Sequence, residues 1–114
     1  LVLYSIGTSC AITGSLADLG DGKLTDLGVI GQGVTAVTGA TPSAKLSAGI
    51  TRYRVYDCSF SSTDTDNNII NLLAALGAGT GAAPRTAIFE TNRTSASDDA
   101  VAGLTAKEWS VTFA

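Results

Sequence analysis

Residues 62–79, STDTDNNIINLLAALGAG, place Asp64, Asp66 and Asn68 at alternate positions. That spacing could bring three side-chain oxygens onto a calcium ion. A helix-flanked calcium loop also needs glycine at its sixth position and a bidentate acid at its twelfth. Counted from Asp64, those positions hold Ile69 and Ala75, so the metal reading fails. The sequence DLGDGKLTD (18–26) has Asp21-Gly22-Lys23 in the middle of a similar loop. Leu19 stands there where an oxygen ligand belongs, and Asp26 falls at the wrong spacing.

Catalytic groups are sparse. The chain has no histidine, the usual proton carrier near neutral pH, and no G-x-S-x-G nucleophile turn. Asp64/Asp66 and Asp98/Asp99 are neighbours along the chain. Acid–base catalysis instead requires two carboxyls facing each other across a cleft. The glycine-rich stretches GVIGQGVTAVTG (28–39) and GAGTGAAP (77–84) lack the G-x-x-x-x-G-K-[ST] phosphate loop. These features predict a protein that is not an enzyme and that holds no cofactor or metal.

Cys10 and Cys58 are the only cysteines. A disulfide between them would close a loop worth about 4 kcal/mol in the chain-entropy model. Two buried thiols are the alternative. Asn92-Arg93-Thr94 forms a glycosylation sequon, used only on a secretory route. Arg52, Arg54 and Tyr56 share one face of a strand. The arginine stems could lie over apolar surface at a rim, or the charges could reach acids such as Asp98, Asp99 or Glu108 on a neighbouring copy.

The elements that would position these residues follow from periodicity. Ile69, Leu72, Leu73 and Leu76 fall at i, i+3, i+4 and i+7, which predicts a short helix at about 66–76. Asp64, Thr65 or Asp66 would cap it, and Gly77 and Gly79 would end it. Residues 1–13, 29–39, 45–60, 85–94 and 105–114 read as strands. In the last of these, Trp109, Val111 and Phe113 share a face. The segment SASDDA is a loop or helical turn. No long tandem repeat is visible. The expected fold is one mainly β domain, residues 1–114: a sandwich or curled antiparallel sheet of 5–7 strands with the helix packed on it. An α+β sheet is the alternative.

Charged residues make up 15% of the chain and the net charge is −3, against roughly 25% charged in ordinary domains. That balance argues against nucleic acid, which needs clustered Lys and Arg. No stretch approaches the ~20 apolar residues of a membrane span. Residues 1–17 have no basic start of the signal-peptide kind. Methionine is absent even at position 1, so the start of the gene product is expected to lie elsewhere.

Thin charge, many small residues and no reactive cluster predict a structural subunit that assembles with copies of itself. The settings expected are a virion component (phage tail tube, decoration or capsid protein) or an extracellular filament, with other structural proteins of the same assembly as further partners. Leu1, Val2, Leu3 and Tyr4 would form a strand exchanged with a neighbour, and Arg52 and Arg54 would be further subunit contacts. The alternative is a small secreted module that binds carbohydrate or protein through exposed Tyr53, Tyr56 or Trp109.

Overall fold

A computed structural model describes residues 1–4, 13–31 and 36–114. Its strands are β1 (Val2–Tyr4), β2 (Thr13–Ser15), β3 (Asp26–Ile30), β4 (Ala36–Thr38), β5 (Arg52–Tyr56), β6 (Thr86–Phe89) and β7 (Ser110–Phe113). Two helices, α1 (Ser62–Leu76) and α2 (Asp98–Ala106), join them. One sheet has the order β1-β3-β5-β6-β7, and β2 and β4 form a second sheet of two strands. Every strand pair is parallel.

The expected antiparallel sandwich is therefore wrong. The molecule is a small α/β-type domain, because parallel neighbours cannot be joined by tight hairpins and each connection must cross over the sheet. Two of these crossovers are helices, and they alternate with strands rather than standing apart from them, so the α+β alternative fails too.

The chain advances one strand at a time in one direction, as in a solenoid. One coil runs through β1 and β2, the next through β3 and β4, a third through β5 and α1, a fourth through β6 and α2, and β7 begins a fifth. The register stacks equivalent residues in columns. Leu27, Tyr53, Ala87 and Val111 form one column, and Val29, Val55, Phe89 and Phe113 form another. Both columns face the helices and the small sheet. The core lies between them: Tyr53, Leu27, Val29 and Phe89 are fully buried with Leu72 and Leu104.

Helix α1 begins four residues before the expected start. Its cap is Ser61, whose Oγ accepts from the Asp64 amide at 3.1 Å. Gly77, with φ 56°, ends it as expected. The ammonium of Lys107 then donates to the freed carbonyls of Gly77 (3.0 Å) and Gly79 (2.7 Å). Helix α2 overlaps the end of SASDDA, expected to be a loop or helical turn, and takes in Thr105 and Ala106, expected to begin the last strand. Only Ala100 and Leu104 are buried on it, so its apolar stripe is short. At Gly103 an added Cβ would stand 2.7 Å from Leu73 Cδ2, which shows how closely α1 and α2 approach.

Other strand boundaries shrink in the structure. Residues 45–60 supply only β5, because Ser43–Lys45 form a 3-10 turn and Asp57 (φ 57°) and Ser59 (φ 58°) bend the chain away after Tyr56. Residues 29–39 divide between the end of β3 and β4. Of residues 1–13, read as one strand, only Val2–Tyr4 and Thr13–Ser15 are strands among the described residues, and Val2 is 49% exposed.

Candidate interaction surface

The polar residues that suggested calcium ligands have another use. Asp64 and Asn68 sit one helical turn apart on α1 and face the second coil. The Gly39 amide donates to Asp64 Oδ2 at 2.8 Å, and Asn68 Nδ2 donates to the Gly39 carbonyl at 3.2 Å. Asp66 faces the fourth coil, where the Thr94 amide (2.9 Å) and the Ser97 hydroxyl (2.7 Å) donate to it. Desolvation by burial pushes the Asp66 carboxyl up. The hydrogen bonds from Thr94 and Ser97, with the nearby charge of Arg93, outweigh that and hold it below the ordinary carboxylate value. These side chains are ties between coils. Among the described residues, no group of three or more His, Cys, Asp and Glu side chains is placed to hold a metal ion.

A second set of ties follows the sheet. Three residues beyond the inward pair Tyr53/Val55 stands Cys58, and three beyond Ala87/Phe89 stands Asn92. Each reaches back to the preceding coil. Cys58 Sγ donates to the Val29 carbonyl at 3.3 Å, and Asn92 Nδ2 donates to the Phe60 carbonyl at 2.7 Å. Thr65 Oγ1 in turn donates to Asn92 Oδ1 at 2.8 Å. The sequon nitrogen is thus tied to the third coil, although Asn92 itself is exposed. Burial, aided by the charges of Glu90 and Asp57, pushes the Cys58 thiol up to about 12, so it is no thiolate nucleophile at neutral pH. Cys10, its proposed disulfide partner, lies outside the described residues.

The outer face of the large sheet carries the arginines. Arg54 Nη2 lies 2.9 Å from Asp26 Oδ1 and Arg52 Nη1 lies 3.6 Å from Asp26 Oδ2. Gly28 leaves room for this: a Cβ there would meet Val2 Cγ1 at 3.2 Å and Arg54 Nη2 at 3.4 Å. Tyr56 and Ile88 are half-buried on the same face. Two of the three acids named as intermolecular partners for the arginines, Asp98 and Glu108, have partners at home. Arg93 holds Asp98 at 2.6 Å, and Arg85 stands 3.8 Å from Glu108.

Two of the three aromatics expected to be exposed are not. Tyr53 is fully buried and Trp109 nearly so, its indole donating to the Thr80 carbonyl at 2.8 Å. Only Tyr56 remains open to a partner.

The two edges of the large sheet stand out. Four large apolar side chains are exposed among the described residues: Leu1 (50%), Val2 (49%), Ile70 (38%) and Phe113 (37%). Three of these lie on or beside the edge strands β1 and β7. Neither residues 1–4 nor residues 110–114 contain a charged side chain. Soluble sheets normally defend their edges with Lys, Pro, bulges or a covering loop. Among the described residues nothing pairs with the outer side of either strand.

Sequence reasoning named Leu1 to Tyr4 as a contact strand and read 105–114 as a strand without singling it out as a sheet edge. The signal available was the run SVTFA, apolar and uncharged at 110–114. No family model matches the chain, and neither does any curated protein or any solved structure. No helix among the described residues is long and apolar enough to cross a membrane.

Proposed function

We propose that this chain is a non-enzymatic structural module that assembles with copies of itself through the ends of its solenoid. The observation that carries this reading is the pair of uncharged sheet edges on or beside which Leu1, Val2 and Phe113 are exposed. Repeat architectures contact only neighbouring units, and a second copy is one such neighbour.

The sequence around β3, β5 and β6 supports a repeat reading. LTDLGVIGQGV (24–34), ITRYRVYDCSF (50–60) and PRTAIFETNRT (84–94) align without gaps in the strand register. They resemble the pattern L-x-x-L-x-L-x-x-N/C-x-L of leucine-rich repeats, the middle one most closely. On this reading Cys58 and Asn92 hold the N/C position. Composition is what supports placement in a virion or an extracellular filament.

Static light scattering against concentration tests the proposal. The expected result is a mass that rises above 11.5 kDa with concentration and falls back when Phe113→Asp places a charge on the β7 edge. A monomer at every soluble concentration would sink it.

A second reading is favoured by the outer face. Parallel sheets are usually covered on both sides, yet α1, α2 and the small sheet all lie on the inner side of this one. The outer surface with Arg52, Arg54, Tyr56 and Ile88 then serves as a docking face for another protein. That reading expects a solitary monomer whose binding is lost in Tyr56→Ala.

A further inference from the structure

We infer that the outer face of the large sheet docks an extended acidic segment of another protein, whose carboxylates Arg52 and Arg54 receive. This rests on the second reading above and names the chemistry of the partner.

Charge carries the inference. On the outer face Asp26 pairs with Arg52, and Arg54 stands between Gly28 and Ile88. Every other outward side chain of β3, β5, β6 and β7 is uncharged. Two guanidiniums therefore share one carboxylate, and the face has one positive charge in excess on a chain of net charge −3. Asp26 lies 2.9 Å from Arg54 but 3.6 Å from Arg52, whose side chain is 48% exposed. Most of the Arg52 fork is thus free to take an acceptor. Arg54 Nε is buried and has no acceptor among the described residues. The fold leaves that donor unmatched, at a cost that a second carboxylate beside Arg54 would remove.

Position and spacing select the partner. β5 is the third strand of five, so the site depends on neither edge. Further strands beside β1 or β7 would widen the sheet and leave the face of β5 as it is. Planar guanidinium forks match carboxylates in pairs of hydrogen bonds. Arginine and tyrosine, rather than lysine, are the residues that anchor protein interfaces. Nucleic acid would need a longer row of cations than these two. Arg52 and Arg54 stand about 6.6 Å apart along the strand, the spacing of alternate residues in any extended chain. A segment laid along β5 therefore presents acids at alternate positions, then an apolar residue over the half-buried Tyr56 and Ile88.

The test uses a phage-displayed library of random linear peptides, panned against the unaltered chain. Enriched clones should carry Asp or Glu at alternate positions beside an apolar residue. Synthetic copies should bind less tightly as salt is raised. Arg52→Ala should weaken them by about fivefold or more, and Arg52→Lys should recover part of the loss. Asp26→Asn, which frees both guanidiniums, should tighten binding by a similar factor, a gain that misfolding cannot produce. Nitrogen-15 spectra of the unaltered chain give an independent reading. Among the four arginine Nε–H signals, those of Arg52 and Arg54 should move when an enriched peptide is added. Enriched peptides without acids, lost in Tyr56→Ala but indifferent to Arg52→Ala, would overturn the acidic partner and leave the docking face standing. Acidic peptides that move only the Arg85 or Arg93 signal would overturn this site. If no enriched clone needs Arg52, Arg54 or Tyr56, the acidic partner and the docking face both fall.

Discussion

The Ser97 hydroxyl donates to the carboxylate of Asp66 at 2.7 Å, joining α1 of the third coil to the start of α2 in the fourth. Thr94 supplies two more donors to the same carboxylate. Asp66 is 5% exposed, so it is a charge held inside the fold by neutral donors.

Asp66 should make stability acid-sensitive. Its folded pKa lies below its unfolded value. Its contribution is therefore fully present above the unfolded pKa, near 3.9, and is lost as pH falls through that value toward the folded one. Urea midpoints measured from pH 7 downward should drop across this window. Asp66→Asn should remove that part of the slope and cost about 1–3 kcal/mol at pH 7, because its amide group cannot accept from Thr94 and Ser97 as two oxygens do.

Tyr53→Phe should destabilise the domain by about 1 kcal/mol. The buried phenol donates to Asn68 Oδ1 and lies 3.2 Å from the Thr41 hydroxyl, so its loss strips a donor from α1 and an acceptor from Thr41 in the loop after β4. Combining it with Asn68→Ala should cost less than the sum of the two singles, since they share one hydrogen bond. Thermal melts of the four proteins decide this, and strict additivity would contradict it.

Gly81→Ala should cost about 2 kcal/mol. Gly81 has φ +73°, and a Cβ there would stand 2.7 Å from the Ile50 carbonyl oxygen, a backbone atom that cannot rotate away. By contrast, Gly77→Ala meets no atom within 4 Å and pays only for its positive φ, so it should cost less. Denaturant titration ranks the pair.

In a Cys10→Ser chain, the Cys58 thiol should resist Ellman's reagent under native conditions at pH 8 and react fully in guanidinium. Its pKa of about 12 and full burial both act against attack. Rapid native labelling would show that the corner between Asp57 and Ser59 opens.

What could be read from the sequence was local. The Ile69, Leu72, Leu76 stripe names a helix face, and those three residues are buried. Its true start was hidden because Asp64 and Asp66 look like caps, whereas both are spent on other coils and Ser61 does the capping. Helix α2 escaped because a close helix–helix contact at Gly103 uses small residues where periodicity analysis looks for large ones. Strand direction was illegible: buried and exposed positions alternate along β5 in the same way whether its neighbours run parallel or not. The stacking of coils has no constant sequence period. From Leu27 to Tyr53 is 26 positions, from Tyr53 to Ala87 is 34, and from Ala87 to Val111 is 24, because a helix fills some coils and short strands fill others. Of the surface, Leu1 and Val2 were legible as an edge through plain hydrophobicity. Tyr53 and Trp109 were misjudged because an aromatic with a polar tip suits either a binding face or a core with a hydrogen-bond partner, and only packing decides between them.

The reach of Asn92 into the preceding coil bears on biosynthesis. Its side-chain nitrogen is bonded to the Phe60 carbonyl, yet the residue itself is exposed. A sugar placed on that nitrogen would leave it a single N–H with which to keep the tie to the third coil.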